Sequence, residues 1–171
     1  MIPDEQRTVF DLALKKISEE EFLRRFGIRR ADGSKFALSI LEKAYRERVA
    51  IDVECGLWVG FHFGFSSDHL DILCRLSEAD WHQRHEDVVT ALGELHDNRA
   101  VEALYRATLK TPTYLEFDDS RALAVKAIWA LGRLKDPAAD EKLRVLAQSN
   151  EPILSEEAAN QLRRRGLEIP A

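Results

Sequence analysis

Val88 to Leu104, VVTALGELHDNRAVEAL, returns 39 residues later as Ala127 to Leu143, AIWALGRLKDPAADEKL. Ala91-Leu92-Gly93 superposes on Ala130-Leu131-Gly132, Leu95 on Leu134, Asp97 on Asp136 and Leu104 on Leu143. Each copy reads as an apolar helix, a turn at Asp followed by Asn or Pro, and a second helix. A unit of that length cannot bury its apolar face alone, so neighbouring units stack and share one continuous core. The expected fold is all-α: a short α–α superhelix, a right-handed solenoid of helix pairs, preceded by an N-terminal helical bundle. Residues 1–66 read as the cap, 67–166 as the repeats and 167–171 as a loose tail, together one structural domain.

The spacing also isolates an added piece. Leu131 matches Leu162 of the last helix at an offset of only 31 residues, against 39 for the preceding step. The excess is accounted for by Thr111 to Asp119, TPTYLEFDD. Insertions in a solenoid collect in loops on one face, where binding is concentrated.

Helical periodicity organises the rest of the chain. Pro3 opens a first helix at a position where its missing N–H costs nothing. Ser18-x-x-Glu21 is a capping-box start for a second helix, with Gly27 at its end. Ser34 is expected to cap a third helix and Asp52 a fourth. The fourth is apolar nearly all round, the mark of a central helix. Its Gly56, Gly60 and Gly64 point to close packing of a neighbour or, over Phe61 to Phe65, a short extended piece. Asp80 is expected to cap a helix over 81–95, Asp119 or Ser120 one over 121–134, and Asp136-Pro137 the next. The last helix runs from near Pro152 to about Arg165, with Gly166 as its stop.

Composition excludes some roles. Thirty acidic against 25 basic residues, a formal net charge of −5, lacks the basic footprint of a nucleic-acid binder. Cys55 and Cys74 have no CxxC spacing and read as free thiols of a reducing compartment. MIPDEQRT has no basic region followed by an apolar run, so no signal peptide is expected. No apolar run is long enough for a bilayer, and a cytoplasmic location with no membrane partner follows.

ALGELHDNRAVEAL and ALGRLKDPAADEKL resemble the HEAT-like repeats of small standalone bacterial proteins, the type named after phycobilisome linker lyases. FDLALKKISEEEFLRRFG is similar to the start of uncharacterised members of that group. The resemblance implies a protein-binding scaffold rather than an enzyme. More narrowly, it implies an immunity protein that binds and occludes a bacterial toxin. Arg84-His85-Glu86 resembles the His-Glu dyads of deoxyhypusine hydroxylase, a di-iron HEAT-repeat enzyme. A 39-residue shift, however, places Ala124 and Val125 where the second dyad belongs. One dyad cannot close a di-iron site, because each iron needs several N/O donors. A metal-dependent or lyase-type enzyme is therefore the alternative, and a HEAT-type nucleic-acid binder a third reading.

The candidate partner-binding residues follow from this. Tyr114, Glu116, Phe117, Asp118 and Asp119 in the insertion combine aromatic anchors with charges that steer a basic partner such as a toxin domain. The alternative for the same segment is a lid, with Tyr114 and Phe117 folded onto the core and the aspartates capping a helix. Trp81 is expected to be partly exposed, Trp58 and Trp129 to be core. Arg75, Glu78, Arg106 and Lys110 supply polar positions on the second helices. His82 and His85 are expected at the surface. With Glu86 they form the one weak metal set, one ligand short of a four-coordinate zinc site. No catalytic motif is complete and no cofactor is expected.

Overall fold

A computed structural model describes residues 1–169, and the described residues are helical with no strand. Among the described residues ten α-helices follow one another: α1 (Pro3–Ala13), α2 (Glu19–Phe26), α3 (Gly33–Glu47), α4 (Ala50–Phe63) and α5 (Leu70–Glu78), then α6 (His85–Leu95), α7 (Val101–Leu109), α8 (Ala122–Arg133), α9 (Pro137–Ala147) and α10 (Pro152–Arg164). The chain divides into two compact units. One is Met1–Ile72 with Trp81–Arg84; the other is Leu73–Asp80 with the chain from His85 onward. The division falls inside α5. Of the expected loose tail, residues 170–171 lie outside the described residues.

In the first unit, α2 is started by the Ser18 hydroxyl accepting from Glu21 N–H at 3.1 Å and stopped by Gly27 at φ 63°. Its one buried residue, Phe22, sits among Phe26, Phe63 and Phe36, with ring centroids at 4.7, 5.7 and 6.5 Å. Helices α3 and α4 pair so closely that a methyl on Gly56 would lie 2.6 Å from Leu41 Cδ2. That contact explains a glycine inside a helix, which otherwise costs about 1 kcal/mol. No extended piece forms before Gly64, because α4 continues through Phe63 and ends at Gly64, φ 93°.

Several expected caps are corrected. Helix α4 starts at Ala50, so Asp52 lies inside its first turn. Its carboxylate, 1% exposed, instead binds the N-terminal ammonium of Met1 and the Gln6 amide. Helix α3 starts at Gly33, straight from a 3-10 turn, and the Ser34 hydroxyl is buried without a hydrogen-bond partner. Helix α6 starts at His85 rather than after Asp80. Residues 81–84 are non-helical: Trp81 meets Tyr45 edge-on at 6.1 Å, and Arg84 N–H donates to His82 Nδ1 at 3.0 Å. Tertiary contacts there override helical periodicity. Trp58 is 45% exposed, not core, because the periodicity of an all-apolar helix cannot say which face stays uncovered.

The second unit shows what the repeated glycine does. A methyl on Gly93 of α6 would lie 2.9 Å from Ala130 Cβ of α8; one on Gly132 of α8 would lie 2.3 Å from Gln161 Oε1 of α10. Ala130 and Gln161 occupy the same repeat position, 31 residues apart. The glycine of each unit is thus the slot into which the first helix of the next unit packs. Asp97 caps the 3-10 turn Asn98–Ala100 that leads into α7, accepting from Arg99 N–H at 3.0 Å, and Asp136 caps α9, accepting from Ala138 N–H at 2.8 Å. Ion pairs tie successive units on the outside: Lys126 to Glu86 at 2.9 Å, and Lys142 to Glu102 at 3.0 Å. Trp129, expected in the core, is 44% exposed and donates its indole N–H to Glu157 at 2.8 Å. Its neighbours Ile128 and Leu131 take the inward positions.

Candidate functional site

The insertion between α7 and α8 is the feature that departs from a plain repeat. Pro112 leads into a 3-10 turn, Thr113–Leu115, and the chain reaches α8 through Arg121 at φ 52°. Tyr114 is half-buried and stacks on His85, ring centroids 5.7 Å apart. Its hydroxyl oxygen accepts from His85 N–H at 3.3 Å and lies 3.1 Å from His85 Nδ1. His85 Nε2 is 2.6 Å from the Ala79 carbonyl, which only accepts, so Nε2 carries the proton. Nδ1 of the neutral ring then accepts from the Tyr114 hydroxyl, and both ring nitrogens are satisfied.

The far end of the insertion is held as firmly. The Asp118 carboxylate accepts from Ala122 N–H at 2.7 Å and from Ser120 N–H at 3.1 Å. Asp118 is therefore the side chain that caps α8, rather than Asp119 or Ser120. The Ser120 hydroxyl and the Ala122 N–H hold its carboxyl below the usual carboxylate range. Arg121 donates to the Thr108 carbonyl at 3.4 Å and pairs with Glu151 at 3.0 Å. The gap lined by Pro112, Leu115 and Leu123 is about 10 Å³, too small for a ligand. Between these fixed points Phe117 stands 91% exposed, flanked by exposed Glu116 and Asp119. The segment is a lid at Tyr114 and Asp118 and a presented tip at Glu116, Phe117 and Asp119.

The polar positions on the second helices are largely committed to packing. Arg106 pairs with Glu78 at 2.7 Å. The Lys110 ammonium donates to the Ser77, Glu78 and Ala79 carbonyls at 3.2, 2.8 and 3.5 Å, which satisfies the end of α5 and its dipole. Burial there pushes its pKa down. Arg75 is exposed on α5. Trp81 is half-buried as expected, but in the first compact unit, whereas the insertion belongs to the second.

The two histidines expected at the surface are instead 2% and 1% exposed, His82 and His85 respectively. The signal missed was that a histidine with two good partners is a core residue. His85 is held by Ala79 and Tyr114, His82 accepts from the Arg84 N–H, and Glu86 is paired with Lys126. Among the described residues no three His, Cys, Asp or Glu side chains gather to hold a metal. Cys55 and Cys74 are free thiols, and burial, then the charges of Asp52 and Glu54, push Cys55 up to about 12, so it is no nucleophile.

The buried histidines set a pH dependence. Burial lowers the folded-state pKa of both His69 and His85. The unfolded chain, with histidines near 6.5, then binds more protons just below that pH. Their contribution to stability is complete above about pH 6.5 and is lost as pH falls toward the folded values. Urea titrations between pH 7.5 and 5 are expected to show falling stability, with a shallower fall for His85→Gln. An unchanged slope in that variant would place the dependence elsewhere.

Residues 123–149 match the family model described as PBS lyase HEAT-like repeat. The match begins in α8 and covers α9, the second of the two sequence copies. No curated protein and no solved structure matches the chain.

Proposed function

We propose that this HEAT-like helical repeat protein is a non-enzymatic scaffold that binds another protein through the inserted segment, with Phe117 as the anchor. The observation that carries this reading is the exposure of one large aromatic on a segment pinned at both ends. A pre-anchored aromatic loses little conformational freedom on binding, which is what makes such residues energetic centres of interfaces. Glu116 and Asp119 beside it favour a basic partner and speed its approach at low salt. An immunity-type inhibitor fits the same surface: a rigid acidic tip covering the basic active site of a toxin domain. That narrower assignment rests on the likeness to small bacterial HEAT-repeat proteins.

Tyr114 is not a clean test residue, since its hydroxyl holds the insertion in place. Phe117→Ala is clean. With a partner captured on the full-length protein and then purified, Phe117→Ala is expected to weaken binding at least about 30-fold, the size of an interface hot spot. Glu116→Lys with Asp119→Lys is expected to slow association and flatten its salt dependence. Full affinity in the Phe117 variant would remove the tip from the interface.

A further inference from the structure

We propose that the cleft between α1 and α4 in the first compact unit is a binding site for a small aromatic carboxylic acid. It is independent of the protein-binding tip. The cleft holds about 340 Å³, within the range of small-molecule sites, roughly 300–1,000 Å³. Two helix faces build it: Val9, Leu12 and Ala13 on α1, and Trp58, Phe61 and His62 on α4. Each set is spaced i, i+3, i+4, so each forms one continuous stripe. Trp58, 45% exposed, supplies a flat wall on which an aromatic ring can stack.

The charge at the mouth selects the sign of the ligand. Three ionisable side chains line the cleft: Lys15, Glu19 and His62. The Glu19 carboxylate is already engaged by Arg30 and by His62, the latter at 3.0 Å. Both contacts, Arg30 foremost, hold it below the usual carboxylate range. Lys15 is exposed and makes no ion pair among the described residues. What the mouth offers is therefore one uncompensated ammonium.

The backbone at the end of α1 brings Lys15 to the cleft. Helix α1 ends in a Schellman turn, with Lys15 N–H donating to the Leu12 carbonyl at 2.9 Å and Lys16 N–H to the Asp11 carbonyl at 2.8 Å. Lys15 holds the left-handed position at φ 56°, where glycine fits best and other residues cost about 1 kcal/mol. Arg48, His96 and Arg121 also have positive φ, so the conformation alone is not the argument. At this one, the side chain lines an apolar cleft.

The test is a titration of the full chain with 2-naphthylacetate, followed through the three tryptophan indole N–H resonances, with Trp58 assigned by W58F. A saturable shift confined to Trp58 is expected. Affinity for the acid should exceed that for 2-naphthylacetamide at least tenfold. Lys15→Gln should erase that difference while leaving the amide unchanged. Equal affinities, or an acid preference untouched by Lys15→Gln, would overturn anion recognition. So would the absence of a saturable Trp58 shift. A Trp58 shift that follows protein concentration instead would show a second copy of the chain in the cleft and equally defeat the proposal. Phe117→Ala should leave every one of these readouts unaltered, which separates this site from the binding tip.

Discussion

Gly93→Val is expected to lower stability by about 3 kcal/mol, the upper end of ordinary overpacking. The first added carbon would already lie 2.9 Å from Ala130 Cβ and 3.3 Å from its Cα. Backbone cannot step aside as a side chain can, and valine adds two methyl groups beyond that point. Gly93→Ala sets two effects against each other: alanine gains about 1 kcal/mol in helix propensity, and overpacking takes back about 1–3. The repeat provides an internal control. At Gly132 the obstacle is the amide end of Gln161, a flexible side chain that already has a buried Nε2 without a partner. Gly132→Ala is therefore expected to be milder than Gly93→Ala. Urea midpoints at constant m-value check the order. The reverse order would mean that α6 and α8 are not packed glycine to alanine.

Phe22→Ala is expected to cost about 3–5 kcal/mol, the range for emptying a fully buried aromatic site. Phe22 is 0% exposed and is the only buried residue of α2, so the cavity would open where Phe26, Phe36 and Phe63 meet. A shift in melting temperature on the order of 10 °C follows for a chain of this size. Phe117→Ala, the same chemical change, should lie within about ±0.5 kcal/mol because that ring has no packing to lose. Thermal melts of the two variants side by side thus separate a residue kept for the core from one left for a partner. A large loss at Phe117 would return it to the role of a lid.

Much of the architecture was readable from residue patterns. The two copies of Ala-Leu-Gly-x-Leu-x-Asp marked α6 and α8 and both Asp caps, because a repeated sequence meets a repeated environment. Ser18 and Gly27 bounded α2 correctly, since capping is local chemistry between residues a few positions apart. Asp52, Ser34 and Asp80 have the right chemistry for a helix start, yet none of them caps one. Asp52 is taken by the distant Met1 and Gln6, the Ser34 hydroxyl is buried inside α3, and the chain after Asp80 turns away from the helix to pack Trp81 on Tyr45. His82 and His85 read as surface residues. A buried histidine is betrayed only by its partners, and Tyr114 lies 29 residues from His85.

The inserted segment shows where the two kinds of information divide. The difference between the 39- and 31-residue offsets was enough to isolate Thr111 to Asp119, since a count along the chain needs no coordinates. Composition marked it as aromatic and acidic. Which aromatic faces the core could not follow, because Tyr114 and Phe117 sit three residues apart in a segment with no regular period to sort them. Tertiary structure decided it through one hydrogen-bonded hydroxyl: the tyrosine satisfies His85 inside, and the phenylalanine, having no such group, is the ring left in solvent. The same holds for α4, where an all-apolar helix was plain from the residues. That Trp58 faces an open cleft beside Lys15 depended on where α1 came to rest.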